Sequence, residues 1–346
     1  MNLERLNNVA IAIAAPGKGV LAADESTGTI KKRFDSIGVA STEDNRRDYR
    51  EMLFRTDEAM RERISGVILF DETIRQNAAD GSPLVKLIED AGSIPGIKVD
   101  KGAKDLAGAP GEKVTEGLDG LRERLADYYD LGARFAKWRA VIDIGRNGDE
   151  AVPSGPCIAT NAHALARYAA LCQEANIVPI VEPEVLMDGD HDIDRCYDVT
   201  EYALKSLFDE LYAQDVALEG TVLKPNMVVA GKLCPEQPSV EEVAELTVRC
   251  FRAAVPAAVP SIVFLSGGQT DEQATAHLNA MNAGFSDKTP WALSFSYGRA
   301  LQAAPLKAWG GKAENIPAAQ AAFAHRAKMN GLAQLGDWSP ALENAA

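Results

Sequence analysis

Lysines and a glutamate at the ends of short apolar runs are the residues that could do chemistry. Lys137 follows FA, Lys224 follows TVL, and Glu182 ends the intervening run IVPIVE. An amine that is partly desolvated near another cation has a lowered pKa, and the neutral amine attacks a ketone to give a Schiff base. A carboxylate between two such lysines could serve as general acid and base. The residues alone leave two interpretations open, imine chemistry and a structural lysine–glutamate network.

A glycine-containing turn and an arginine are typical of a phosphate site. Ser266, Gly267 and Gly268 follow one apolar run, and Gly298 and Arg299 follow the next. Glycines let backbone N–H groups approach an oxyanion closely, and a guanidinium matches the geometry of a phosphate. Ser-Gly-Gly alone is a common turn, but its pairing with Gly-Arg strengthens the prediction of a phosphate cradle.

A second basic cluster could hold another phosphate across the same site. The cluster Lys31–Arg33 follows Ser26 and Thr29, and Lys98 ends a different apolar run. A solvated run of charge is the more usual explanation of three adjacent basic residues. Both interpretations stay open on the sequence.

The elements that must position these residues are eight short apolar runs rich in β-forming residues. Their hydrophobicity is nearly continuous, which indicates strands that are buried on both faces, as in a parallel sheet. The runs are Gly19–Ala23, Gly66–Phe70, Gly96–Val99, Phe135–Trp138, Val178–Val181, Thr221–Leu223, Ile262–Leu265 and Trp291–Phe295.

Helical patterns lie between the predicted strands. Asn161–Glu174 carries an apolar stripe, and Ser239 with Glu242 forms a capping-box pattern ahead of Val240–Ala254. Strand–helix units that recur without a composition break predict an α/β fold, one (β/α)8 TIM barrel spanning 1–346. We expect an N-terminal helix in 1–17 and a short mobile tail in 332–346. An open doubly wound sheet is the rival fold, but no Gly-x-Gly-x-x-Gly follows the first strand.

Composition narrows the range of functions. The net charge of −14 and the pI near 4.9 argue against partners such as nucleic acid or an anionic membrane surface. No apolar run reaches the length of a membrane span. Five cysteines without a C-x-x-C pair favour a reducing compartment, the cytoplasm, and four histidines supply few ligands for a metal site.

These residues stand in motifs that resemble the class I, Schiff-base-forming fructose-1,6-bisphosphate aldolases. The resemblance covers Asn8 to Gly331, with one motif for each predicted strand. The motifs are GKGVLAADESTGTI, GVILFDET, GIKVDKG, FAKWR, IVPIVEPE, LEGTVLKPNM, FLSGGQ and WALSFSYGRALQ.

The resemblance implies a role for each candidate residue. Lys224 resembles the imine-forming lysine, and Glu182, with Glu184 beside it, resembles the acid–base residue. Asp24 and Lys137 would orient the substrate hydroxyls and assist carbinolamine chemistry. The phosphate nearer the ketone would bind at Ser266, Gly267, Gly268, Ser296, Gly298 and Arg299. The other phosphate would lie near Ser26, Thr29, Arg33 and Lys98, with Arg139 close to the site.

The implied reaction is reversible cleavage of fructose 1,6-bisphosphate to dihydroxyacetone phosphate and glyceraldehyde 3-phosphate in glycolysis and gluconeogenesis. No metal or other cofactor is expected, because the iminium is the electron sink. The family suggests a homotetramer. Animal members end in a catalytic tyrosine, whereas this chain ends in Glu343-Asn344-Ala345-Ala346, so another residue or water would protonate the enamine.

Three alternatives remain at this stage. The same chemistry could act on another ketose phosphate, such as sedoheptulose 1,7-bisphosphate. The barrel could be a scaffold that binds sugar phosphates without turnover, although the complete lysine–glutamate set argues against it. A metal-dependent aldolase is the third alternative, and the stretch from Gly189 to Asp192 is the only loop that suggests a metal.

Overall fold

A closed barrel of eight parallel strands forms the centre of the computed structural model, which describes residues 1–147 and 150–344. The strands are β1 (Gly19–Ala23), β2 (Ile64–Leu69), β3 (Ile94–Lys98), β4 (Phe135–Ile142), β5 (Val178–Val185), β6 (Val222–Leu223), β7 (Ser261–Phe264) and β8 (Ala292–Tyr297). Each strand pairs with the next in the chain, and β1 pairs with β8 to close the barrel. The predicted TIM barrel is confirmed.

Helices surround the barrel and connect its strands. They are α1 (Leu3–Ile13), α2 (Thr27–Asp35), α3 (Glu43–Phe54), α4 (Asp57–Glu62), α5 (Asp71–Ile74), α6 (Leu84–Asp90), α7 (Leu121–Asp130), α8 (Gly155–Glu174), α9 (Ile193–Ala213), α10 (Val240–Ala254), α11 (Asp271–Phe285), α12 (Arg299–Trp309) and α13 (Ile316–Leu335). Short 3-10 turns lie at Leu218–Gly220, Ser286–Lys288, Ala313–Asn315 and Pro340–Asn344. None of these described helices is long and apolar enough to cross a membrane.

Helix α1 fills the end of the barrel at which the strands begin. Leu6, Ala10 and Ile13 recur at helical spacing and are buried against side chains from inside the barrel, among them Val20 and Phe135. The Ser261 hydroxyl of β7 also donates a 2.9 Å hydrogen bond to the carbonyl of Ala10. The predicted N-terminal helix is therefore present, and it closes one end of the barrel.

Two strands are longer than the sequence predicts. β4 continues past Trp138 to Ile142, and β5 continues past Val181 to Val185. The added segments pair with each other, Arg139 opposite Glu182 and Val141 opposite Glu184. Charged residues interrupt the apolar runs there, because they point toward a polar site rather than toward a helix.

Two antiparallel hairpins lie outside the barrel and were not predicted. Ala103–Asp105 pairs with Lys113–Thr115, and Gly145–Asn147 pairs with Glu150–Val152. Each of these strands is three residues long, which is too short to show the apolar alternation that reveals a strand.

Helix ends differ from prediction at three places. Helix α8 begins at Gly155, well before Asn161, because Ser154 accepts a hydrogen bond from the N–H of Cys157. Helix α13 continues to Leu335, so the tail begins later than predicted. Ser239 accepts from the N–H of Glu242 at 3.1 Å, which is one half of a capping box. A capping box with both halves stands instead at Thr270 and Gln273, before α11.

Candidate active site

A polar cavity of about 280 Å³ opens at the end of the barrel where the strands finish. In (β/α)8 barrels this is the end that carries the catalytic groups. Nearly every predicted site residue lines it: Asp24, Ser26, Thr29, Arg33, Lys98, Lys137, Arg139, Glu182, Glu184, Lys224, Ser266, Gly267, Ser296, Gly298 and Arg299. Gly268 is the exception, and it lies behind the turn that Ser266 and Gly267 present to the cavity.

The floor of the cavity is a chain of alternating charges. Lys224 Nζ lies 3.2 Å from Glu182 Oε1, and Glu182 Oε2 lies 3.1 Å from Lys137 Nζ. Lys137 Nζ lies 2.8 Å from Asp24 Oδ2. Three adjacent strands supply Lys137, Glu182 and Lys224, which brings together side chains that are far apart in sequence. Glu182 thus contacts both lysines.

The charge chain shifts the pKa values of two adjacent members, Asp24 and Lys137. Burial disfavours the Asp24 carboxylate, but attraction to Lys137 and then Lys224 outweighs it and lowers the pKa of Asp24. Burial likewise disfavours the Lys137 ammonium, yet Asp24, Glu182 and Asp100 together raise the pKa of Lys137 above its ordinary value. The lowered pKa expected of paired lysines is therefore wrong for Lys137, because carboxylates surround the amine more closely than cations do.

A second carboxyl lies beside Glu182 on β5. Glu184 Oε2 accepts a 2.8 Å hydrogen bond from the Arg139 guanidinium of β4. Burial raises the pKa of Glu184, the Arg139 charge opposes the rise, and the nearby Glu182 charge adds to it. Two neighbouring carboxyls therefore sit in different environments, which is a common arrangement where one group must hold a proton.

The cradle predicted for one phosphate is assembled from β7, β8 and α12. Ser266 and Gly267 follow β7. Gly298 is the N-cap residue of α12 and Arg299 is the first residue of that helix, and no side chain caps its N-terminus. An uncapped helix N-terminus presents free N–H groups and positive partial charge to an anion. Ser296 is 1% exposed, and its hydroxyl has no hydrogen-bond partner among the described residues. These donors converge on one side of the cavity.

Further polar and basic side chains line the cavity from other elements. Ser26 caps α2 by accepting from the N–H of Thr29, and Arg33 lies further along the same helix. Lys98 Nζ of β3 lies 2.8 Å from Asp100 Oδ1. Of the predicted cluster Lys31–Arg33, only Arg33 lines the cavity, whereas Lys31 pairs with Asp35 on the exposed face of α2.

A buried network behind Arg33 was not assigned from the sequence. The Glu25 carboxylate accepts hydrogen bonds from Arg33 and, at 2.8 Å, from Gln302 of α12. Arg50 of α3 is 1% exposed and donates to the carbonyl of Glu25 at 2.9 Å. Glu25 stands in a predicted strand-end motif, but nothing in the spacing of Arg50 or Gln302 signals that they meet it.

No metal site accompanies the cavity in the part of the chain that the structure describes. No group of three or more His, Cys, Asp or Glu side chains there could hold a metal ion. His191, from the stretch that suggested a metal loop, is buried, and neither ring nitrogen has a hydrogen-bond partner within residues 1–147 and 150–344.

Comparison with known proteins identifies the family. The family model described as fructose-bisphosphate aldolase class-I matches residues 5–346. A probable class 1 fructose-bisphosphate aldolase of Xanthomonas campestris is 62% identical over 98% of this chain and 99% of its own length. The cytosolic fructose-bisphosphate aldolase 4 of Arabidopsis thaliana is 56% identical over 94% of this chain and 81% of its own length.

The similarity extends to three dimensions. A fructose-bisphosphate aldolase from Plasmodium falciparum, solved in complex with TRAP and a small-molecule inhibitor, superposes with a TM-score of 0.93. It is 48% identical in sequence, and the match covers 97% of this chain and 96% of that one. The chain therefore belongs to the class I fructose-bisphosphate aldolase family.

Proposed function

We propose that Lys224 is the nucleophile with which this lyase reversibly cleaves fructose 1,6-bisphosphate into dihydroxyacetone phosphate and glyceraldehyde 3-phosphate. The observation that carries the proposal is the contact of the buried Glu182 with both lysines, at 3.2 Å from Lys224 and 3.1 Å from Lys137. This geometry gives the nucleophilic amine an adjacent carboxylate to take its proton.

Imine formation needs four proton transfers, and Glu182 can serve each of them. Its carboxylate takes a proton from the Lys224 ammonium, the neutral amine adds to the C2 carbonyl carbon, and Glu182 returns that proton to the oxygen. Glu182 then takes a second proton from the nitrogen, which gives a neutral carbinolamine, and delivers it to the hydroxyl, which leaves as water. The product is a protonated imine between Lys224 and C2.

Carbon–carbon cleavage uses the same carboxylate as a base. Glu182 takes the proton of the C4 hydroxyl, the C3–C4 electron pair moves toward the iminium, and glyceraldehyde 3-phosphate leaves. An enamine stays on Lys224. Protonation at C3 restores the imine, and addition of water releases dihydroxyacetone phosphate and the free amine. Asp24 and Lys137 face this reaction and would hold the substrate hydroxyls.

The two phosphate groups would bind in different parts of the cavity. The group on C1 would take the cradle of Ser266, Gly267, Ser296, Gly298 and Arg299, and Gly268 belongs to the same turn as Ser266 and Gly267. The group on C6 would lie near Ser26, Thr29, Arg33 and Lys98, with Arg139 close to the site. The relatives are named for fructose bisphosphate, and no comparison supports the sedoheptulose alternative.

We also infer a cytoplasmic location and a homotetramer. A cytosolic relative in Arabidopsis thaliana and five free cysteines support the first. The family resemblance alone supports the second, and sedimentation analysis would test it.

Borohydride trapping tests the nucleophile directly. The enzyme is incubated with dihydroxyacetone phosphate, reduced with borohydride, digested and read by peptide mass spectrometry. We expect a reduced adduct on the peptide that contains Lys224. The matched variant Lys224→Arg should give no adduct on any lysine. An adduct on Lys137 or Lys98 would overturn the assignment of roles, and no adduct despite measured binding would overturn the imine mechanism.

A further inference from the structure

A methionine side chain forms the wall behind the Ser266–Gly268 turn. A Cβ added at Gly268 would overlap Met187 Cγ and would lie 2.8 Å from Met187 Sδ. A Cβ added at Gly267 would lie 3.1 Å from Met187 Cε. Met187 itself is 5% exposed and does not line the cavity. The turn therefore packs directly against the side chain of Met187.

Two hydrogen-bonded loops hold Met187 in this place. The loop after β5 begins with Leu186, whose N–H donates to the carbonyl of Ile142 on β4 at 2.9 Å. The carbonyl of Met187 accepts from the N–H of Lys232, in the loop after β6, at 2.8 Å. The N–H of Gly231 donates to the carbonyl of His191 at 2.8 Å. The backbone of Met187 is thus fixed from two sides.

The close approach of the two loops depends on a glycine. A Cβ added at Gly231 would overlap the carbonyl oxygen of Gly189 in the facing loop. A third backbone bond, from the N–H of Leu233 to the carbonyl of Gly189 at 3.0 Å, completes the contact. The loops that follow β5 and β6, the strands of Glu182 and Lys224, are therefore linked to the turn that follows β7.

We propose that Met187 is a positioning residue that sets the Ser266–Gly268 turn at the right depth for the phosphate next to the ketone. The proposal deepens the proposed function and rests on it, because it requires this turn to be a phosphate cradle. Gly268 has φ of +76°, so the turn has a defined left-handed geometry. A side chain packed behind it keeps its N–H groups aimed at the cavity. Met187 acts through the turn and does not touch the substrate.

The test compares ligands that carry their phosphate at opposite ends. Met187→Ala removes most of the side chain that packs against the turn. The dissociation constants of dihydroxyacetone phosphate and fructose 1-phosphate should then rise about tenfold, which is the effect of one weakened hydrogen bond to a charged group. The dissociation constant of fructose 6-phosphate, which has no phosphate on C1, should not change. Half-saturation of borohydride trapping gives the first value, and competitive inhibition gives the other two.

Matched variants separate positioning from stability. Met60→Ala truncates a fully buried methionine on α4, ahead of β2, and should lower the melting temperature without changing any dissociation constant. Met187→Leu keeps an apolar side chain of similar volume against the turn and should bind dihydroxyacetone phosphate and fructose 1-phosphate as tightly as wild type. Met187→Val, a milder truncation, keeps the test available if the alanine variant does not fold, and should give an intermediate shift.

The outcomes distinguish this proposal from the proposed function. If wild-type protein gives no Lys224 adduct, the proposed function fails. If it does give one, but Met187→Ala and Met187→Val bind all three ligands as wild type does, Met187 has no positioning role. An equal loss for fructose 1-phosphate and fructose 6-phosphate would likewise contradict a role confined to one phosphate.

Discussion

Glu182 is the residue on which the proposed chemistry of the cavity depends. It is 3% exposed and lies between two lysines, so its carboxylate is never far from an amine. A group in that position can move protons to and from the nucleophile and the substrate without solvent.

Removing this carboxylate should abolish most of the turnover. In Glu182→Gln we expect kcat for fructose 1,6-bisphosphate to fall by about 10²- to 10⁴-fold, the usual contribution of a general acid–base group. KM should change little, because Glu182 is not one of the groups proposed to donate hydrogen bonds to the substrate phosphates. Initial rates from a coupled assay give both constants.

The control is an exposed carboxylate. Glu174→Gln alters a surface ion pair with Arg122 and should leave both constants at wild-type values. A Glu182→Gln enzyme with wild-type kcat would show that another group moves the C4 proton.

Glu184 should make stability fall as pH rises above the ordinary range of a glutamate. The folded-state pKa of Glu184 is raised above its ordinary 4.5, so folding favours the protonated carboxyl. Its contribution is complete below pH 4.5 and is lost as pH rises through the folded-state pKa. Glu184→Gln cannot titrate. The melting temperature of wild type minus that of the variant should therefore decrease between pH 4 and pH 7, and an increase would contradict the raised pKa.

Residue types at strand ends predicted the composition of the site but not its finer contacts. Lys137, Glu182 and Lys224 could be placed together because parallel strands all finish at one end of a barrel. The raised pKa of Lys137 could not be predicted, since it depends on distances to Asp24 and Asp100. Arg50, on a helix, and Met187, in a loop, contact residues that line the site or form its turn, and no local pattern marks them.

At the scale of elements, the sequence predicts the positions of the strands better than it predicts where they end. All eight apolar runs are strands, but β4 and β5 extend into the charged residues that form the site. An apolar run marks the part of a strand that has apolar surroundings on both faces, and strand hydrogen bonding continues beyond it.

Close packing between strands predicts a large effect of one added methyl group. A Cβ at Gly96 of β3 would overlap the ring of Phe135 on β4. Gly96→Ala should reduce the free energy of unfolding by about 1–3 kcal/mol, the cost of overpacking a core. Phe135→Leu should relieve part of this loss, so the double variant should lose less than the sum of the single variants. Denaturant unfolding measures all three.

The control is a glycine-to-alanine substitution at a position where the added methyl group has open space. A Cβ at Gly28 of α2 would meet nothing within 4 Å. Gly28→Ala should not destabilise, and a gain of about 0.5–1 kcal/mol is expected from helix propensity. Strict additivity of Gly96→Ala and Phe135→Leu would show that the two positions do not contact.

At the scale of the whole molecule, the two ends of the barrel differ: residues at one end should affect stability, and residues at the other should affect activity. Helix α1 packs Leu6, Ala10 and Ile13 into one end, whereas the cavity occupies the other. Leu6→Ala should therefore reduce the free energy of unfolding by about 2–5 kcal/mol, as for other buried leucines. The kcat/KM for fructose 1,6-bisphosphate should be unchanged at a temperature where the variant is folded.

Leu3, on the same helix, is the comparison. It is 40% exposed, so Leu3→Ala should cost little stability. A large loss of kcat/KM in folded Leu6→Ala would show that the two ends of the barrel are coupled.

The closure of one barrel end by α1 also bears on the order of events in turnover. With that end filled by Leu6, Ala10 and Ile13, the cavity opens at the other end of the barrel. In the proposed mechanism, cleavage leaves the ketone fragment covalently attached to Lys224 at the floor of the cavity and the aldehyde free. Under this mechanism the aldehyde departs before the ketone, and in condensation the ketone arrives first. A compulsory order of this kind gives an ordered sequential rate law in the steady state. The two products should then inhibit cleavage with different kinetic patterns.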